Sequence, residues 1–197
     1  GALYATKTTV KLTIGVSDEQ TSGYQIKIWG IRGVDDEESA SWETFATEKS
    51  VELTAGDGLK TVHIKVRDDV GNESAEVSAD ITLNTAVPVV TITGPDKAKI
   101  SKISGFDKSK ISFTVDVDFE EYKVCVVPQT SSTQDAGTQI PTDGGSVNTS
   151  GAEGSYPKTT PIEVTITGTD LATASAGDGL KIVKVFVRNA AGTWSVA

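Results

Sequence analysis

The sequence predicts an all-β protein, built as two β-sandwich domains in tandem. Three observations predict it. A block of sequence occurs twice, each recurring segment alternates apolar and polar residues, and glycine-rich turns separate the segments with no sustained helical period between them. At 197 residues the chain accommodates two domains of about 100 residues, a common sandwich size.

The repeat is most evident at Gly56-Asp57-Gly58-Leu59-Lys60, which returns as Gly177-Asp178-Gly179-Leu180-Lys181. The residues after it also match, 61–67 against 182–188, and each copy then reaches a glycine and a serine in register, Gly71 and Ser74 against Gly192 and Ser195. Upstream, Val10, Leu12, Ile14 and Val16 pair with Ile111, Phe113, Val115 and Val117. Tyr24, Ile26 and Ile28 pair with Tyr122, Val124 and Val126. Side chains two apart on a strand share a face, so Val62, Ile64 and Val66 point to a core while Thr61, His63 and Lys65 point to water.

Taken in order, copy one has strands over Val10–Val16 and Tyr24–Ile28, then a connection over 30–50 that Trp42 and Phe45 anchor onto the sandwich. Gly56-Asp57-Gly58 is a turn, because glycine reaches positive φ without a Cβ clash. The strand Thr61–Arg67 follows, then a hairpin loop over Asp68–Asn72 and a last strand near Val77–Leu83. The first domain spans 1–86 and the second 87–197. Pro88 stiffens a short Thr85–Pro88 linker, which predicts a semi-rigid rod. Copy two opens with the strand Val89–Thr93 and carries a long excursion over 128–161, whose larger apolar side chains are Ile140, Val147 and Tyr156. It has extra residues over Gly168–Ala176, and it ends at Ala197 without most of a closing strand, so the chain stops short there or a neighbour covers the edge.

Composition narrows the function. Net charge is −9, with 15 acidic and 8 basic residues in 1–86 and 12 and 10 in 87–197, a poor balance for neutralising phosphates. Nucleic acid is not an expected partner, and no apolar stretch is long enough for a membrane span. Cys125 is the single cysteine, so neither an intrachain disulfide nor a cysteine-based zinc site is expected. The start does not resemble a signal peptide. Opening at Gly1 with no Met, the chain reads as a processed product or a piece of something longer.

No catalytic set is expected. His63 is the single histidine and reads as a solvated strand residue, at the place where the repeat has Lys184. Cys125 aligns with Lys27 and has no histidine nearby, so an unreactive thiol is expected. Asp116, Asp118, Glu120 and Glu121, and separately Asp35, Asp36, Glu37 and Glu38, are the acidic clusters that calcium would need, but neither has a calcium-loop pattern. Solvated carboxylates and no cofactor are the expectation.

Four residues are candidate interface or glycan contacts. Trp29 falls on the outward parity of its strand and Trp194 lies in the final loop; each ring covers a sheet edge, packs on its neighbour domain, or offers a platform to a sugar or a protein. Ile182 and Phe186 stand where copy one has Thr61 and Lys65, so the outward face of that strand has become apolar. Either the 128–161 excursion or a partner subunit covers it. Asn72-Glu73-Ser74 and Asn148-Thr149-Ser150 match the N-glycosylation pattern.

The segments Tyr24–Gly30, Trp42-x-x-Phe45, Gly56–Val62, Arg67–Ser74 and Asn84-Thr85-Ala86-x-Pro88 resemble the bacterial-type immunoglobulin-like repeats of surface adhesins and tailed-phage particle proteins. Val115–Lys123 and the ending Ala191–Val196 are similar to terminal domains of phage particle proteins. Thr193 and Asn84 depart from the pattern, where Asn and Asp would be usual. The resemblance implies two tandem immunoglobulin-like β-sandwich domains and a non-enzymatic structural or decoration protein on a virion surface. Such a protein would be an exposed spacer and weak adhesive surface toward host envelope or glycans, with protein partners in a larger particle and room for an oligomer. Its alternatives are a repeat segment of a bacterial cell-surface adhesin and a carbohydrate-binding accessory module of a secreted enzyme.

Overall fold

The computed structural model describes residues 3–17, 21–140 and 154–197. The chain divides into two compact units, Gly1–Thr85 and Ala86–Ala197. Each is an immunoglobulin-like sandwich of two packed sheets.

In unit 1 the strands are β1 (Tyr4–Ala5), β2 (Thr9–Thr13), β3 (Gln25–Trp29), β4 (Glu43–Thr44), β5 (Glu48–Glu52), β6 (Gly58–Arg67) and β7 (Val77–Leu83). One sheet has the order β1-β7-β6-β3-β4 and the other is the pair β2-β5. The alternation in sequence becomes the two faces of these sheets. Ile26, Ile28 and Val62 from the larger sheet meet Ile14, Val51 and Leu53 from the smaller, and all six are buried. Ile64 and Val66 share the inward parity of Val62 but are half-buried. They line a cleft of about 520 Å³ together with Ile14, Val16, Tyr24 and Val77.

In unit 2 the elements are β8 (Val90–Thr93), β9 (Lys108–Val115), β10 (Glu121–Val126), β11 (Thr138–Gln139), β12 (Ile162–Thr167), the short helix α1 (Gly168–Ala174) and β13 (Val183–Arg188). The sheets are β11-β10-β13 and β12-β9-β8. This core is larger and more aromatic. Phe113, Phe119 and Tyr122 pack with Tyr156, at centroid distances of 5.2 Å for Phe113–Tyr122, 4.9 Å for Phe119–Tyr156 and 5.5 Å for Tyr122–Tyr156. Such pairs add to plain area burial. The long excursion is therefore held to the core at two points, by Ile140, which has no exposed surface, and by Tyr156. Val147 and the sequon at Asn148 lie outside the described residues.

One detail departs from the sequence reading, and one was not addressed by it. The extra residues after β12 form a helical turn, which the absence of a helical period had hidden. It is seven residues long, too short to show a period, and Thr167 starts it by accepting a hydrogen bond on Oγ1 from the Asp170 N–H. The opening strands also pair differently in the two units. β1 runs parallel to β7, whereas β8 pairs antiparallel with β9.

The loop after the repeated strand is conserved between the units in its bonding as well as its glycine. Asp68 Oδ1 accepts from the Val70 and Asn72 N–H groups, and Asn189 Oδ1 accepts from those of Ala191 and Thr193. Ser74 Oγ then accepts from the Val66 N–H as Ser195 Oγ does from Val187. Asp and Asn fill this role alike, as a short polar acceptor that closes its own loop.

Candidate interaction surfaces

In both units the connection after the third strand lies over the outward face of the sheet, but the chemistry beneath it differs. In unit 1 that face carries Lys27, Lys65 and Arg67. Lys65 Nζ donates to Glu37 Oε1 and Oε2 at 2.7 and 2.8 Å, which raises the lysine's pKa through the hydrogen bond to Glu37. The centre of the Trp42 ring lies 5.1 Å from Lys27 Nζ and 4.5 Å from the Arg67 guanidinium carbon, a cation–π arrangement with each.

Trp29 is corrected by the structure. It keeps its outward parity, but only 6% of its surface is exposed, and its ring is stacked on His63 with centroids 5.5 Å apart and planes 9° apart. Its face is thus not open to a sugar or partner. His63 in turn contacts Glu76 Oε1 through Nδ1 at 2.7 Å, so the outward, partly solvated histidine bridges an indole and a carboxylate.

In unit 2 the equivalent face is apolar. Cys125, Val127 and Phe186 are buried there in a second, smaller core, with Ile182 and Trp194 packed against it and half-buried. Phe186 has no exposed surface. The chain itself covers this position, which removes Phe186 as a contact for a partner subunit. Lys184 Nζ donates to the Ser131 carbonyl oxygen and the Ala197 N–H donates to that of Ser132, tying the start of the excursion and the chain's end to the same face. Lys123 Nζ lies 4.6 Å from the centre of the Trp194 ring. Burial raises the Cys125 thiol's pKa, partly countered by Lys123, which disfavours the reactive thiolate.

Several of the clustered carboxylates bind backbone amides or cations. Asp116 Oδ1 accepts from the Val89 N–H, and Asp118 Oδ1 from that of Lys158. Glu121 is buried and accepts from Arg188 Nε at 2.6 Å. Asp36 Oδ1 accepts from the Ser39 N–H, which lowers its pKa. Among the described residues, no three His, Cys, Asp or Glu side chains converge as a metal site requires. The arrangement of Asp96 was not legible in sequence: it binds the Lys110 N–H and the Ser109 hydroxyl, and a lone Asp in a Gly-Pro-Asp loop gives no signal of a partner 14 residues away.

No protein-family model matches the chain, and no curated protein does. Among solved structures it is similar to the fibronectin(III)-like modules of Clostridium thermocellum CbhA, at 13% identity and a TM-score of 0.46, over 96% of this chain and 81% of that one. It is also similar to chitinase ChiA74 from Bacillus thuringiensis, at 13% identity and a TM-score of 0.30, over 91% of this chain and 26% of that one. Dimeric latent PorU from Porphyromonas gingivalis matches at 12% identity and a TM-score of 0.32, over 96% and 17%.

Proposed function

We propose that the chain is a non-catalytic display module, its sandwiches serving as exposed spacers and protein- or envelope-facing surfaces on a phage particle. The observation that carries the non-catalytic part is the fate of the reactive side chains. His63 is stacked and paired, Cys125 is buried with a raised pKa, and the carboxylates described above hold backbone amides or cations. Catalysis needs such groups converging on a cleft. The particle setting is supported by the sequence resemblance and by the acidic, disulfide-free composition. No described helix is long and apolar enough to cross a membrane.

The test is to incubate the purified chain with isolated bacterial envelopes and to look for the protein in purified phage particles by mass spectrometry. Salt-sensitive envelope binding together with presence in particles supports the reading. Presence in cell walls of uninfected bacteria would replace it with an adhesin repeat. A carbohydrate-module reading has one half-exposed ring left in the candidate set, Trp194. It predicts glycan-array binding that Trp194→Ala abolishes.

A further inference from the structure

The connection between the first two strands differs sharply between the repeats. In unit 1 only Thr6, Lys7 and Thr8 join β1 to β2, whereas in unit 2 residues 94–107 join β8 to β9. Residues 96–110 hold five lysines, at 97, 99, 102, 108 and 110, against two aspartates. The local balance is +3, in a chain of net charge −9.

The loop is also apolar at its tip. Ile103 is 70% exposed and Phe106 71%. They are the two ends of a tight turn. The Phe106 N–H donates to the Ile103 carbonyl at 2.9 Å, and Gly105 supplies a φ of +87° at the third position. The ends of such a turn lie within about 7 Å of each other, so the two residues sit side by side.

Hydrogen bonds hold this shape without burying the apolar pair. The Ser101 N–H donates to the Phe106 carbonyl at 2.8 Å, the Ile103 N–H to Ser101 Oγ at 3.0 Å, and the Gly105 N–H to Asp107 Oδ1 at 3.0 Å. The loop is seated on the start of α1. There the Gly168 N–H donates to the Asp107 carbonyl at 2.8 Å, and a Cβ on Gly168 would lie 2.0 Å from the Ser101 carbonyl oxygen. Asp96 binds the Lys110 N–H and the Ser109 hydroxyl, so both aspartates are engaged by groups of the loop and its flanks. Lys110 pairs with Glu163 at 2.5 Å, while Lys99 and Lys102 stand exposed just before the turn.

We propose that this loop docks on an anionic lipid surface. Ile103 and Phe106 enter the boundary between headgroups and acyl chains, and Lys99 and Lys102, with the lysines near them, meet the lipid phosphates. Lysine suits that place, because its stem can be buried while its ammonium group stays among the headgroups. Acidic residues elsewhere in the chain oppose the contact weakly, since charge is screened over about 10 Å at 0.1 M salt. An anionic sugar polymer would match the lysines but offers no apolar medium for Ile103 and Phe106. A protein cover would have to desolvate the ammonium groups beside the apolar pair, whereas headgroups keep them wet. The inference goes beyond the display reading and does not rest on it, because vesicles test the loop without particles or cells.

The test uses the full chain and large vesicles of phosphatidylcholine, either pure or with about one third phosphatidylglycerol, in about 0.1 M salt, read by co-sedimentation. Binding to the anionic vesicles, with little to the neutral ones, is expected. Ile103→Ser combined with Phe106→Ser should weaken it about tenfold or more. Lys99→Gln combined with Lys102→Gln should weaken it about twentyfold, at about fivefold for each lysine near the surface. All four side chains are exposed, so both variants should retain the unit 2 melting transition. A dye that brightens in apolar surroundings, attached at Ser104→Cys in the turn, should respond on anionic vesicles and stay dim on neutral ones; Cys125 is buried and stays unlabelled. Absence of binding by the wild-type chain overturns the proposal. Full binding by the variant lacking the apolar pair also overturns it, as does a silent dye on a chain that sediments. Binding to an immobilised anionic sugar polymer that needs the lysines alone, with none to vesicles, would overturn it in favour of a glycan contact.

Discussion

Lys65 and Phe186 hold the same place in the two repeats and point to the same outward face, yet one is ion-paired to Glu37 and the other has no exposed surface. The cover over each strand has adapted to that one exchange. Phe186→Ala should destabilise unit 2 by about 3–5 kcal/mol, the usual cost of emptying a buried aromatic site. Lys65→Ala should lower unit 1 stability far less, since water can replace its partner. Urea unfolding followed by Trp194 and Trp29 fluorescence would show the first transition shift and the second hold.

The Glu121–Arg188 pair sits across β10 and β13 with both side chains largely buried. Arg188→Leu alone leaves a carboxylate uncompensated and should cost about 3–5 kcal/mol. Arg188→Leu combined with Glu121→Leu should recover most of that loss, because an apolar pair of similar size is often neutral there. Thermal melts of the single and double variants decide the matter.

Glycine at position 30 is required by both conformation and space. Its φ is +75°, and a Cβ there would lie 2.2 Å from the Thr61 carbonyl oxygen. Gly33 has a similar φ of +78° but nothing within 4 Å. Gly33→Ala should therefore cost only the left-handed strain, about 1–2 kcal/mol, and Gly30→Ala clearly more. Equal losses in a denaturant series would refute the packing argument.

Acid should weaken both units through specific carboxylates. The hydrogen bond from the Asn72 side chain lowers the Asp68 pKa below 3.8, and the Lys110 N–H, with the Ser109 hydroxyl, does the same for Asp96. A pKa lowered by folding contributes stability fully above the unfolded value of 3.8, and that contribution is lost as pH falls through the folded value. The Asp96→Ala variant should start with a lower melting temperature at pH 7 and lose less of it between about pH 4 and pH 2 than the parent chain.

Cys125, buried with a raised pKa, should resist iodoacetamide while unit 2 is folded. Its labelling rate should rise with denaturant in step with the unit 2 transition. Fast labelling in buffer would contradict the burial.

The sandwiches were legible because Val62, Ile26 and their matches alternate with polar residues, and burial on one face of a sheet enforces that period. Parity also placed Trp29 outward correctly. It could not show that His63 would stack on the ring, because that depends on a contact between strands far apart in sequence. The exchange of Lys65 for Phe186 flagged an apolar outer face, and Trp194, Cys125 and Val127 prove to be its companions. The carboxylate clusters read as solvated faces, while the folded chain spends Asp116, Asp118 and Glu121 on single distant partners that no spacing announces.

The parallel pairing of β1 with β7 joins the first and last strands of unit 1, with Leu3 and Ala5 carbonyls accepting from the Thr82 and Asn84 N–H groups. A pull on the chain's two ends loads these bonds together, along the strand direction, so they must break at once. In unit 2, β8 and β13 lie in different sheets, and its described strands form no parallel pair of this kind. Stretched in an atomic-force or optical-trap experiment, unit 2 should rupture at lower force and unit 1 should be the mechanically tougher half.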